Sequence, residues 1–197
     1  MINNQLRPLD AATLGAAQLP TTFADLALGP GVTLICGIDE RIARSLFRFL
    51  DTTLKITGEQ AYEANRAVYW HDAISREGNE TTGRGWLEFQ AQRYGSWNEK
   101  LAAGMVEALD LEIHISKPLY MYSLGSARKL NLVAAFASGV RVTCLDAPFV
   151  ALDGPSRSVV AEFLNEASEH PGRSWMVFDY EPPPGLGAMR FAQVLRF

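Results

Sequence analysis

The sequence has 197 residues, 48% of them hydrophobic and 20% charged, the size and mix of one ordered globular domain. Its net charge of −4, without a Lys/Arg block, argues against duplex nucleic acid or an anionic membrane surface as the main partner. No apolar stretch approaches the roughly 20 residues of a membrane-spanning helix. The opening Met1-Ile2-Asn3-Asn4-Gln5 is not an export signal, so a cytoplasmic protein without direct membrane insertion is expected.

Residues 1–30 are rich in Ala and Leu and show little period; short strands are expected there. Val32-Thr33-Leu34-Ile35-Cys36 is a continuous apolar run, which predicts a strand buried on both faces of a parallel sheet. A helix is expected over Ile42 to Leu50, with Leu46, Phe49 and Leu50 on one face, and a weaker strand over Ala67 to Trp70. Two helical patterns follow, Trp86 to Tyr94 and Glu99 to Leu109, the second with Leu101, Met105 and Leu109 at helical spacing. Another begins after Ser123, with Leu130, Val133, Ala134 and Ala137 on one stripe. Val140 to Leu145 predicts a second buried strand, and a helix carrying Val159, Val160, Phe163, Leu164 and Ala167 comes next. Trp175 to Phe178 and Gln193 to Phe197 are the last strands. Strands alternating with helices predict an α/β sheet with right-handed crossovers. Cys36 and Cys144 each sit in an apolar run with no second cysteine nearby, so both are expected to be buried free thiols. The three histidines, His71, His114 and His170, are scattered, so no metal site is expected.

Three segments, in order, carry a resemblance to a known family. Tyr122-Ser123-Leu124-Gly125-Ser126 precedes a helix, and the strand after it runs Val142-Thr143-Cys144-Leu145-Asp146-Ala147-Pro148, followed by Ala151-Leu152-Asp153. Upstream, Gly37-Ile38-Asp39-Glu40-Arg41-Ile42-Ala43-Arg44 lies between a strand and a helix. This resembles the ATP-binding-cassette (ABC) ATPases: a signature segment, a Walker B strand, a D-loop and a Walker A loop in the family's order. The resemblance implies a P-loop-type α/β core with a small helical subdomain. It implies one domain over 1–197, with a core lobe at about 1–72 and 131–197 and a helical lobe at about 73–130.

The departures from the family pattern fall on its chemistry. A working P-loop is Gly-x4-Gly-Lys-Ser/Thr: glycines let backbone N–H groups wrap phosphate, lysine neutralises it, and the hydroxyl holds Mg²⁺. Gly37 is retained, but Ile42, Ala43 and Arg44 replace the second glycine, the lysine and the hydroxyl residue. Asp39 and Glu40 add negative charge near the position of the triphosphate; Arg41 and Arg44 either compensate or belong to a solvated helix face. Asp146 matches the aspartate that helps hold Mg²⁺, whereas Ala147 stands at the general-base glutamate and Tyr180 at the switch histidine. Asp72 aligns near the Q-loop glutamine. The nucleotide site, Gly37, Arg41, Ala43, Arg44 and Asp146, therefore reads as vestigial, with no competent catalytic residue and no cofactor expected; ATP with Mg²⁺ is the alternative.

The other half of the family's machinery is better kept. Ser123 and Gly125 retain the signature hydroxyl and second glycine, Leu124 replaces the first, and the D-loop Asp153 is present. Such segments contact nucleotide held by an opposite subunit, so the chain could complete a partner's site; equally, Ser123 and Asp153 could serve only as helix caps. The resemblance implies a protein partner, an ABC-type subunit or a membrane permease, in a homo- or hetero-dimer. The expected function is an accessory or regulatory subunit that does not hydrolyse ATP. The alternative is a divergent subunit that still couples ATP hydrolysis to transport. Trp86, Phe89, Tyr94 and Trp97 read as core residues of the helical lobe or as part of an interface.

Overall fold

Val32, Leu34 and Ile35 are water-free in the computed structural model because their strand, β1 (Gly31–Cys36), has parallel neighbours on both sides. The structure describes residues 29–37, 46, 68–71, 80–169, 172–181, 186 and 189–196. The other strands are β2 (Val68–His71), β3 (Val142–Asp146), β4 (Ser174–Asp179) and β5 (Gln193–Arg196). They form one five-stranded sheet in the order β2-β3-β4-β1-β5, with every pairing parallel. Strands β1, β3 and β4 are buried along nearly their whole length, as apolar runs covered on both faces should be. Edge strand β5 alternates between half-buried and exposed positions, the pattern of a strand with one face in water.

The last strand to join the interior, β4, lies between β1 and β3, so two strand spacings separate Cys36 from Cys144. Spacings of about 4.8 Å each exceed the reach of a disulfide. Both thiols are free and buried, and Cys144 packs its sulfur against Met176. Burial pushes the Cys144 thiol far up, so it stays protonated.

Four α-helices described from end to end each start on a side-chain cap. Thr82 Oγ1 accepts from the Gly85 N–H at 3.1 Å to open α1 (Gly83–Arg93), and Asn98 Oδ1 accepts from the Leu101 N–H at 3.0 Å to open α2 (Glu99–Ala108). Ser123 caps α3 (Leu124–Ala137), and Asp153 caps α4 (Gly154–Ser168) with Pro155 in its first turn. Helix α1 begins three residues before the apolar pattern, because the Thr82 cap, and not the first tryptophan, fixes its start. Leu46 is helical and fully buried; the rest of the helix expected at Ile42 to Leu50 lies outside the described residues, as do residues 1–28.

Helix α3 has the most buried residues of the described helices. Its last six residues, Leu132 to Ala137, are all fully buried. It packs against α1, α2 and β2, while α4 lies against β1. A single hydrophobic cluster joins strand residues (Val32, Leu145, Val177) to the apolar faces of α1 and α2 through Tyr94, Met105 and Leu109. Of the four aromatics between 86 and 97, Tyr94 is buried and Trp86 and Trp97 pack on that cluster, whereas Phe89 is 53% exposed.

The end of α3 delays the following strand by two residues. Gly139 adopts φ 67°, and a Cβ there would strike the Ser96 carbonyl, so only glycine fits the turn. Arg173 then secures the exit: its guanidinium donates to the Phe136 carbonyl at 3.0 Å, the Val140 carbonyl at 2.9 Å and Thr143 Oγ1 at 3.0 Å. It stacks 4.1 Å from the Trp175 ring centre. Burial lowers this guanidinium to about 10, still charged at neutral pH and suited to the carbonyl end of a helix. Among the described residues no helix is long and apolar enough to cross a membrane.

Candidate functional site

Parallel sheets leave their ligands at the carboxyl ends of the strands, where loops diverge and helix N-termini point inward. Gly37, Asp146 and Tyr180 all fall at that edge, at the ends of the adjacent strands β1, β3 and β4. Cys36 pairs with Asp179 and Asp146 pairs with Phe178, so the three strands finish nearly level. Gly37 leaves β1 with φ 81°, a conformation an L side chain rarely adopts. Tyr180 is 79% exposed and projects no imidazole or other general base toward the edge. Arg41, Ala43 and Arg44, with Asp39, Glu40 and Ile42, lie outside the described residues; so does Asp72.

Asp146 is half-buried, and the chain turns sharply after it. Ala147 has φ 42°, left-handed backbone that costs a non-glycine residue roughly 1–2 kcal/mol. That turn is fixed from two sides: the Ala147 N–H donates to the Phe178 carbonyl at 2.8 Å, and the Ala147 carbonyl accepts from Arg128 Nη1 at 2.8 Å. Arg128 comes from α3, is 8% exposed, and its Nε has no hydrogen-bond partner among the described residues. Burial pulls its guanidinium down, and the nearby Asp146 and Asp179 carboxylates hold it up. Asp179 in turn is raised by burial, against the Tyr180 N–H donated to its Oδ1 at 2.8 Å, the Glu181 backbone and the Arg128 charge. For a divalent cation at Asp146 these neighbours are adverse: the Arg128 charge already acts on that carboxylate, and no group of three or more His, Cys, Asp or Glu side chains gathers among the described residues.

A second constellation forms at the starts of α3 and α4. Ser123 Oγ accepts from the Ser126 N–H at 3.0 Å, and Asp153 Oδ1 accepts from the Ser156 N–H at 2.9 Å. The Asp153 Oδ2 is 2.7 Å from Lys129 Nζ of α3. This ion pair and the cap hold the Asp153 carboxyl well below the usual range. Gly125 lies against the loop before α4: a Cβ there would come within 2.7 Å of the Ala151 carbonyl. The expected signature and D-loop residues, Ser123, Gly125 and Asp153, are thus brought together as one edge. Around them Tyr120, Met121, Leu124 and Val150 are large apolar side chains left exposed.

Two participants escaped the sequence reading, Arg128 and Asp179. Arg128 had a readable signal: it stands four residues before Leu132 on a buried helix face, where a charge needs a reason. Asp179 immediately precedes the residue aligned with the switch position, but only the pairing of β4 beside β3 brings it near Asp146. Elsewhere, α1 and α2 enclose a groove of about 650 Å³ lined by Arg84, Leu87, Glu88, Trp97, Val106 and Ile115, among others.

The sheet order and its strand-end edge are those of a parallel α/β protein. Solved structures narrow this to the ABC ATPase fold. The chain superposes on the ATP-binding subunit of an ABC transporter with a TM-score of 0.63 and 17% identity, over 78% of this chain and 70% of that one. On a protein assigned as an ABC transporter ATP-binding protein from Pyrococcus furiosus the TM-score is 0.64 with 16% identity, over 87% and 88% of the two chains. The RNase-L inhibitor matches with a TM-score of 0.57 and 15% identity over 78% of this chain but 34% of its own. At such identities the likeness is one of fold. No protein-family model matches the sequence. No curated protein sequence matches it either.

Proposed function

We propose that this chain is an ABC-type subunit that does not hydrolyse ATP and works through protein contacts, as an accessory or regulatory member of an assembly. The observation that carries this reading is Ala147: it occupies the position after Asp146 where the family's reaction needs a carboxylate base, and offers a methyl group. Losing a general base costs about 10²–10⁴-fold in rate. Tyr180 in place of the switch histidine, and Ala43 and Arg44 in place of lysine and hydroxyl, point the same way. Phosphoryl transfer relies on positioned cations and a positioned nucleophile, and these substitutions remove both.

The partner in this reading is a second ABC-type subunit or a permease, with the chain on the cytoplasmic face and one domain divided into core and helical lobes. The exposed Ser123 and the Gly125–Ala151 packing support a finer version, in which the signature edge completes a partner's ATP site. They also favour the second reading, a divergent subunit that still uses ATP, and so does Asp146 at its strand end. Equilibrium calorimetry with and without Mg²⁺ separates the two. The first predicts no Mg-ATP affinity tighter than about millimolar, because the lysine and hydroxyl supply much of phosphate recognition. Micromolar binding, with a nucleotide-dependent rise in melting temperature that Asp146→Asn abolishes, would establish the second.

A further inference from the structure

Asp146 and Asp179 sit at the carboxyl ends of neighbouring parallel strands, one residue out of register with each other. Both residues lie at a partly buried strand-end edge, where a carboxylate calls for a counter-charge. In the family that this chain resembles, Mg²⁺ supplies it at the Asp146 position. The geometry points to Arg128 as the resident counter-cation of Asp146 and Asp179, standing in for a divalent metal and excluding one.

Four observations support this. The guanidinium is anchored beside Asp146 by the 2.8 Å hydrogen bond from Nη1 to the Ala147 carbonyl, and that residue is itself tied to the Phe178 carbonyl next to Asp179. It is 8% exposed, and a buried charge needs an opposite charge nearby. The interaction runs in both directions: Asp146 and Asp179 strengthen the hold of Arg128 on its proton, and Arg128 lowers Asp179. Finally, Nε lacks a hydrogen-bond partner among the described residues, so hydrogen bonding by itself does not account for the group. Near the start of α3 the helix dipole favours anions, and gives a cation no help. The two carboxylates remain as its electrostatic reason for being there.

This inference rests on the proposed function only for the identity of the Asp146 position, and its test uses no nucleotide. Mn²⁺ binding is followed at neutral pH by the electron paramagnetic resonance of the free ion. The wild type is expected to bind Mn²⁺ no tighter than about millimolar, and Arg128→Gln at least about tenfold tighter, since a like charge is removed from the site. Arg128→Lys, which keeps the charge, stays at the wild-type value. Adding Asp146→Asn to Arg128→Gln abolishes the gain. Equal affinity in wild type and Arg128→Gln, or a gain that survives Asp146→Asn, would overturn the assignment. Should Arg128→Gln fail to fold, Asp146→Asn and Asp179→Asn on the wild-type background give the second reading. Each leaves the buried guanidinium short of a counter-charge and lowers the melting temperature, and two unchanged melting curves would overturn the idea. Micromolar ATP binding by a wild type that excludes Mn²⁺ would sink the proposed function and leave the role of Arg128 standing. A chain that binds no ATP, and whose Mn²⁺ affinity ignores Arg128, would do the reverse.

Discussion

The two edges built around helix α3 are held in opposite ways. At its N-terminal end, Ser123, Lys129, Asp153 and Gly125 are matched one to one by short-range partners: a cap, an ion pair, a second cap and a backbone carbonyl in close contact. At the strand ends, Ala147 is in left-handed backbone, the interior Arg128 Nε has no hydrogen-bond partner among the described residues, and Tyr180 projects into solvent. The first edge carries most of the residues its resemblance calls for, and in the proposed reading the second does not. The contrast teaches that helix capping and packing are enough by themselves to place Ser123, Gly125 and Asp153. A chemical site gets no such support from the fold.

Substitutions at four positions would break or sharpen that contrast. The largest effect is expected from Gly125→Val, which drives a branched side chain into the Ala151 carbonyl. Overpacking of this kind destabilises by about 1–3 kcal/mol, read from urea unfolding; an unchanged midpoint would mean that the α3–α4 edge is looser than its packing indicates.

Asp153→Ala removes a cap and an ion pair together, at about 0.5–2 kcal/mol, mostly from the cap because the pair is half in water. Its pH signature has a definite sign. The Asp153 carboxyl is lowered in the folded state, so its contribution is complete above the ordinary aspartate value of about 3.9 and fades as pH falls through the lower folded value. The variant should therefore lose stability at neutral pH and approach the wild type in strong acid. A deficit that stays constant down to the acid transition would exclude the electrostatic account.

Ser123→Ala should cost about 0.5–1 kcal/mol, and Ser123→Asp should restore it, since either side chain caps α3. If Ser123→Asp matches the wild type in thermal melting yet abolishes association with an ATP-binding partner, the hydroxyl serves more than the cap.

The smallest effect is at the other edge. Ala147→Gly relieves left-handed strain but adds freedom to the unfolded chain, for a net gain of no more than about 1 kcal/mol. A loss of stability there would show that the Ala147 methyl is packed and not merely tolerated.

The amino-acid sequence was sufficient for the class of fold and for many of its elements. Continuous apolar runs at β1, β3 and β4 announce strands covered on both faces, since a strand with one wet face would alternate as β5 does. The stripe through Leu130, Val133 and Ala137 announces a helix facing a core, and Ser123 and Asp153 announce where helices start. These signals are local, carried by residues within one or two turns of one another. Strand limits were legible only to within a residue or two, because the turn at Gly139 is set by the distant Ser96 carbonyl and the Arg173 clamp. The apolar runs alone do not say which strands are neighbours. Arg128 could be read only as a charge on a buried helix face, and its relation to Asp179 belonged to tertiary structure. A buried arginine and a strand-end aspartate have no chemical relation until α3 is laid across the sheet and β4 is inserted beside β3. Charge interacts through space, and only the packed chain brings charges far apart in sequence to one edge.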